Sequence, residues 1–534
     1  MGSRVQSVLL VGKVYQPVMR QDSRMTRRRA GILLHVTSLP GEHGIGELGP
    51  VAVSFLDWMR SAELEVWQVL PLGPTGMDNS PYLSASAFAG NVLCLSPEGL
   101  RDLGLLAPEV SATAPSFSGG AVDFAAVRAH KTELVDRAFA GFAAAPPEEL
   151  SEDLARFRRR EAFWLEDWSL FAALKSAHQG AIWTDWPGAL RRHEAEALAE
   201  ARRDLHAAVE REVFAQWLFD RQWRDLRTRA HARGIRLFGD LPIYVAHDSA
   251  DVWARPELFL LDAGGRPHVV AGVPPDAFSE DGQVWGNPLY DWRRHERDGF
   301  AWWIARVRAN LERFDLLRID HFRGLAGYWE VAADAATARE GRWRKGPGAK
   351  LLRALDRALD PEGRGLPLCA EDLGVITPDV EELRDQFSLP GMKVLQFGLG
   401  GPDLPGSERT HAVHHHSRRQ VVYTGTHDND TSEGWFESLR PDEQAWVLEA
   451  VGRGAEWLSW KLVRMAFSSV AELAIVPMQD LLQLGHGARM NTPGIAEGNW
   501  SWRFLPEQLP DDLAPKVARL AELTGRSRPR SGQA

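Results

Sequence analysis

The chain has 534 residues, of which 44% are apolar and 25% charged. This is ordinary globular composition, with ample material for a large core. Lys and Arg number 62 against 72 Asp and Glu, a net charge of −10, so no basic field exists to hold a phosphate backbone, and nucleic acid is excluded as a first partner. Two cysteines, Cys94 and Cys369, cannot build a disulfide framework; they point to a reducing, cytoplasmic setting. No run of about 18 apolar residues offers a membrane span.

Residues 1–30 read as a disordered N-terminal extension. The Val8–Val11 patch lacks a convincing cleavage site, and Arg27-Arg28-Arg29 reads as a solvated basic tail. From Gly31 onward short β-like runs recur, each ending in polar or turn-forming residues. Ile32–Val36 leads to Thr37-Ser38-Leu39-Pro40, and Val66–Leu70 to Pro71-Leu72-Gly73. The interval of about 75–230 is too long for one crossover, and its helical patterns predict a mostly helical insertion. At its end, Val209, Val213 and Trp217 lie four residues apart, an amphipathic helix stopped by Gly234. Ile235–Phe238 then leads to Gly239-Asp240, followed by a Gly-, Pro- and Trp-rich connection of about 242–310 that reads as irregular loops.

Four further runs are Leu316–Ile319, Leu366–Ala370, Met392–Phe397 and Val421–Thr424, and Leu473–Val476 closes the series. Eight β-runs separated by helical stretches predict an α/β fold. The expected form is a (β/α)8 TIM barrel over 31–510, with irregular inserted subdomains at its C-terminal rim. Residues 511–534 are expected to be a C-terminal helix and a disordered tail.

Asp240, Asp320, Glu371 and Asp428 follow strand runs immediately, which puts them on the rim where barrel enzymes build their sites. One such acid alone could simply cap a helix. Four on one rim repel and raise each other's pKa, an arrangement that glycosidic acid–base chemistry uses and structure alone does not need. Arg318 lies two residues before Asp320 and faces the same side of the strand, so it can keep that carboxylate ionised. His427 beside Asp428 offers a neutral donor to sugar hydroxyls. The 21 tryptophans against 6 tyrosines fit core packing for most, and also an enzyme that stacks on sugar rings.

Arg318-Ile-Asp-His-Phe-Arg-Gly324, Ala370-Glu-Asp-Leu-Gly374 and Thr426-His-Asp-Asn429 resemble motifs of the amylomaltases, the 4-α-glucanotransferases of glycoside hydrolase family 77. The likeness extends in order through Ser80-Pro81-Tyr82, Phe238 to Val245, Gly272 to Asp276, Gly282 to Tyr290 and Arg489 to Gly494. The resemblance implies that Asp320 is the nucleophile, Glu371 the general acid/base and Asp428 the transition-state stabiliser. It further implies that Tyr82, Asp240, Arg318, His321 and His427 hold substrate. Trp285, Asn287 and Asn491 would line a glucan groove. The implied activity is transfer of α-1,4-glucan segments between maltooligosaccharides, with no metal or organic cofactor. An amylase-type hydrolase and a silent glucan-binding protein remain alternatives, and monomer and dimer stay open.

Other signals read as structural. His411, His414, His415 and His416 lack metalloenzyme spacing. Asp428 to Asp430 lacks the Gly and closing Glu of a calcium loop. Cys369 reads as a small core residue.

Overall fold

The computed structural model describes residues 27–529 except 77, 112–113, 118, 276–279, 402–403, 405 and 496. Twelve strands occur in chain order: β1 Arg29–Leu33, β2 Val66–Gln68, β3 Arg236–Leu241, β4 Val269–Val273, β5 Gln283–Pro288 and β6 Leu316–Ile319 come first. They are followed by β7 Gly327–Ala332, β8 Arg342–Lys345, β9 Leu368–Ala370, β10 Gly391–Val394, β11 Gln420–Tyr423 and β12 Leu473–Pro477.

Eight of these form one sheet in the order β10-β11-β12-β1-β2-β3-β6-β9, and every neighbouring pair in it is parallel. The sheet's two ends meet where the Ala370 amide donates to the Pro390 carbonyl at 2.9 Å, which closes the barrel. These are the eight runs expected from sequence. Their residues are apolar on both faces because the strands are enclosed by the barrel interior and by the outer helices. The first strand begins two residues before Gly31. A Cβ at Gly31 would lie 2.5 Å from both the Val66 carbonyl oxygen and Ile475 Cδ1, so only glycine lets β2 and β12 approach β1 here.

The interval between β2 and β3 holds a succession of helices, including Phe124–Ala144, Glu148–Arg160 and Leu165–Ala177. The amphipathic segment near its end is two helices, Ala195–Asp204 and His206–Ala232, with Leu205 between them. The second buries Val209, Val213 and Trp217. It ends at Gly234, whose φ is +68°, with the Ile235 amide on Ala230 and the Gly234 amide on His231, the paired closure that a left-handed glycine permits. Trp67, Trp183, Trp217, Trp223, Trp253, Trp302, Trp303 and Trp460 are fully buried, so tryptophan serves the core, as composition suggested.

Two regions differ from the sequence reading. The 242–310 connection contains β4 and β5, and these pair with β7 and β8 in an antiparallel sheet ordered β5-β4-β7-β8. β7 and β8 come from the loop after β6, so this sheet depends on pairing across two barrel connections, which local patterning does not reveal.

The chain ends also differ. Arg27 is no solvated tail, since it pairs with Glu65 and donates to the Ser527 carbonyl. Arg28 donates to the Phe467 carbonyl, and Arg29 opens β1. After the helix Leu513–Leu523, the polar tail packs under the barrel instead of loosening. Arg526 is fully buried and donates to the carbonyls of Arg29, Phe467, Ser469 and Ala471. Carbonyls at the end of the helix Leu458–Ser468 and in the turn before β12 recruit arginines that read locally as tail. Residues 1–26 and 530–534 lie outside the described residues. No described helix is long and apolar enough to cross a membrane.

Candidate active site

The parallel register of β3 and β6 sets Asp240 opposite Arg318. The two groups meet as an ion pair, Arg318 Nη1 to Asp240 Oδ2 at 2.6 Å, with both side chains sealed from solvent. The second guanidinium nitrogen, Nη2, lies 3.0 Å from Asp320 Oδ1 and 4.0 Å from Glu371 Oε2. One arginine thus sits among three carboxyl groups carried by the ends of β3, β6 and β9. The Tyr82 hydroxyl donates to the same Asp240 Oδ2 at 2.8 Å, while Asp240 Oδ1 is buried with no protein partner.

Glu371 is held by backbone. Oε2 accepts the His321 amide at 2.6 Å and Oε1 the Leu373 amide at 2.8 Å. The Glu371 amide in turn donates to Ile319 and the Phe322 amide to the Glu371 carbonyl, so the loops bearing Asp320 and Glu371 are stitched together. His321 takes a left-handed φ of +46° to make this turn, a strained conformation of the kind that collects at functional sites.

Burial pushes the Asp320 carboxyl well above the usual carboxylate range. Arg318 opposes that shift, and the charges of Asp240, Glu371 and Asp428 add to it. Burial likewise raises Glu371 against Arg318 and the two amides. Ionising either carboxyl raises the other, so the pair titrates as a unit.

Asp428 stands at the open side, its carboxylate 45% exposed. Asn491 Nδ2 donates to its Oδ1 at 2.6 Å, and His427 Nε2 lies 3.3 Å from its Oδ2. The His427 ring stacks on Tyr82 at 5.1 Å with 16° between planes. Burial lowers its pKa, keeping it neutral at pH 7. Trp285 on β5 meets the His321 ring edge-on at 4.8 Å. Burial pushes His321 down to about 3, so it too is a neutral donor. Asn287 is turned inward, with its amide on the Val245 carbonyl at 2.9 Å; it fastens β5 to the loop after β3.

Several supporting residues escaped the sequence reading. Asp480 is fully enclosed beyond β12. It accepts from the Thr424 hydroxyl and from the amide and hydroxyl of Ser432, bracketing the loop that carries His427 and Asp428. Its place just past a strand was the available signal. Asn429 Oδ1 accepts from the Thr426 amide and hydroxyl at 2.9 Å each, shaping the same turn. Arg489 donates to the Asp428 carbonyl at 2.7 Å. His35, just past β1, lines an open pocket together with His427 and Arg489.

The histidine cluster is divided among local roles: His411 accepts the Val394 amide, and His416 bonds Ser469 and the His411 carbonyl. Among the described residues, one grouping of ligand-type atoms lies within 4.8 Å, namely His43, Glu47 and Glu98. The Lys131 ammonium already pairs with Glu47 there, and a second cation beside it is opposed by repulsion.

A (β/α)8 barrel whose rim gathers buried carboxyl groups around one arginine, walled by tyrosine, histidine and tryptophan, defines the class of enzymes that work on glycosidic bonds. Residues 34–508 match the family described as 4-alpha-glucanotransferase, glycoside hydrolase family 77, and the chain belongs to that family. It is 49% identical over 509 residues to the 4-alpha-glucanotransferase of Thermus thermophilus, covering 93% of this chain and 99% of that one. It is 44% identical over 504 residues to the chloroplastic/amyloplastic 4-alpha-glucanotransferase of Solanum tuberosum, covering 93% and 86%. Among solved structures, the amylomaltase of Streptococcus agalactiae in complex with acarbose superposes with a TM-score of 0.90 at 34% identity, covering 94% of this chain and all of that one.

Proposed function

We propose that this protein is a 4-α-glucanotransferase that moves α-1,4-glucan segments between maltooligosaccharides by a retaining double displacement. The observation that carries this reading is the position of Arg318, 1 Å closer to Asp320 than to Glu371. At an effective dielectric of about 20, a unit charge at 3.0 Å rather than 4.0 Å is worth about 1.4 kcal/mol, or one decade of proton affinity. In this reading the closer approach of Arg318 favours ionised Asp320, and Glu371 is the member that carries the proton. Both amide bonds to Glu371 survive its protonation, because the carbonyl and hydroxyl oxygens each keep a lone pair.

In the first step Glu371 gives its proton to the departing glycosidic oxygen while Asp320 bonds to the anomeric carbon. In the second, Glu371 removes the proton from the 4-hydroxyl of an acceptor glucan, which displaces Asp320. Asp428 lies across the open side, where it faces developing positive charge on the sugar. Asp240 Oδ1, His427 and His321 supply hydrogen bonds to hydroxyls. Trp285 gives a flat apolar face. The residues form these bonds without a metal or organic cofactor. Two buried free thiols, Cys94 and Cys369, support a cytoplasmic location.

Transfer must beat hydrolysis of the same intermediate. Against water at about 55 M, a sugar at about 1 mM needs an advantage near 5 × 10^5, about 8 kcal/mol, to win tenfold. A positioned acceptor supplies that order, since effective molarities reach about 10^5–10^8 M.

The test is maltotriose alone. We expect glucose plus longer maltooligosaccharides with nearly constant reducing ends. Reducing ends that rise in step with substrate loss identify a hydrolase, and untouched maltotriose identifies a binder.

A further inference from the structure

We propose that Trp343 is a stacking platform for the acceptor-side glucan chain, held at the catalytic rim by Arg323; this rests on the transferase reading above. Trp343 lies on β8, the outer edge of the antiparallel sheet, and is 44% exposed. The Arg323 guanidinium lies 3.9 Å from its ring centroid, and Trp329 meets it edge-on at 5.1 Å. The ring is thus backed by a planar cation and packed against a second indole, yet much of it stays exposed to solvent.

Arg323 connects this ring to the chemistry. It lies three residues after Asp320, and its Nη1 donates to the carbonyl of Val375, four residues after Glu371. Its side chain therefore joins the loop of one reacting carboxyl, the loop of the other and the exposed indole. The hairpin is tied down as well, with the Gly346 amide on Ala326 and the Gly348 amide on Leu325, both at 2.8 Å. A rigid, apolar, flat face held in water beside a sugar site is what the C–H face of a pyranose ring packs against.

Glu371 exchanges its proton with the departing and incoming sugar, so a platform tied to its loop serves that side. In the antiparallel sheet Trp343 pairs with Trp329, Trp329 with Gly272 and Gly272 with Val284. Trp343 therefore faces the side of the sheet opposite to Trp285, the neighbour of Val284 that touches His321. A glucan reaches Trp343 only past the sheet edge, so the platform serves a unit beyond the first acceptor glucose, and short acceptors do not reach it.

The experiment uses α-glucosyl fluoride as donor with glucose, maltose, maltotetraose and maltohexaose as acceptors. For Trp343→Ala, KM for the two long acceptors should rise about tenfold, one decade or about 1.4 kcal/mol. Their kcat should stay within about twofold, and glucose should behave as with the unaltered protein. Trp343→Phe should recover most of the loss, and Trp446→Ala, at an exposed indole elsewhere, should change nothing. An equal KM change for glucose and maltohexaose, or a kcat loss with every acceptor, would overturn the platform. Should Trp343→Ala fail to fold, Trp343→Leu carries the same readout, because it keeps bulk over Arg323 without a ring. If the unaltered protein transfers to no acceptor at all, the transferase reading fails instead.

Discussion

Arg318 Nη2 lies 3.0 Å from Asp320 Oδ1, two residues further along the same strand end. Burial drives this carboxyl toward its neutral form, and the guanidinium is the first influence opposing it. Asp320→Asn should abolish transfer and leave the melting temperature nearly unchanged, because an amide can neither attack nor carry the charge. Arg318→Gln should reduce kcat at least a hundredfold and move the acid limb of its pH profile upward, since Asp320 then ionises only at higher pH. A pH profile that does not move would contradict the assigned role of Arg318.

Glu371→Gln should lose turnover of maltooligosaccharides yet release fluoride from α-glucosyl fluoride, whose leaving group needs no proton. Mass spectrometry of the quenched variant should find a glucosyl adduct on the peptide containing Asp320. An adduct on another carboxylate would reassign the nucleophile.

Asp480 braces the turn that carries His427 and Asp428, and burial raises it from 3.8 to about 6. The folded protein holds this proton more tightly than the unfolded chain. Its contribution to stability is therefore fully present below pH 3.8 and is lost as pH rises through 6. Relative to Asp480→Asn, the protein should lose about 3 kcal/mol of unfolding free energy between those limits, about 1.4 per pH unit. Denaturant titrations at pH 4, 5, 6 and 7 measure this, and a pH-independent difference refutes it. Asp480→Ala should also lower kcat, because Thr424 and Ser432 lose their common acceptor.

Arg526 joins the end of the chain to its first strand, donating to Arg29 as well as to four carbonyls between Ala466 and Ala471. Truncation after Thr524, or Arg526→Ala, leaves buried carbonyls unpaired at about 1–3 kcal/mol each. The melting temperature should fall by several degrees, while kcat measured well below it stays unchanged, since the barrel floor is remote from the rim. An unaltered melting curve would mean that the tail contributes nothing to stability.

Much of this was legible in the sequence because it is local. Buried parallel strands have to be apolar on both faces and end in turn residues, so eight such runs, four of them followed by acids, announce a barrel and its rim. The alternation of a strand likewise put Arg318 and Asp320 on one face. What the tertiary structure alone decided is which neighbours these groups meet. The β3–β6 register brings Asp240 to Arg318 across 78 residues, and the barrel's curvature sets Glu371 1 Å farther from that arginine than Asp320. The antiparallel sheet pairs strands from two separate connections, and Arg526 finds its carbonyls 55 to 60 residues back along the chain, and at Arg29. Local patterning records which side chains face one way. It carries no record of distances between segments, which packing fixes only once the whole chain has closed.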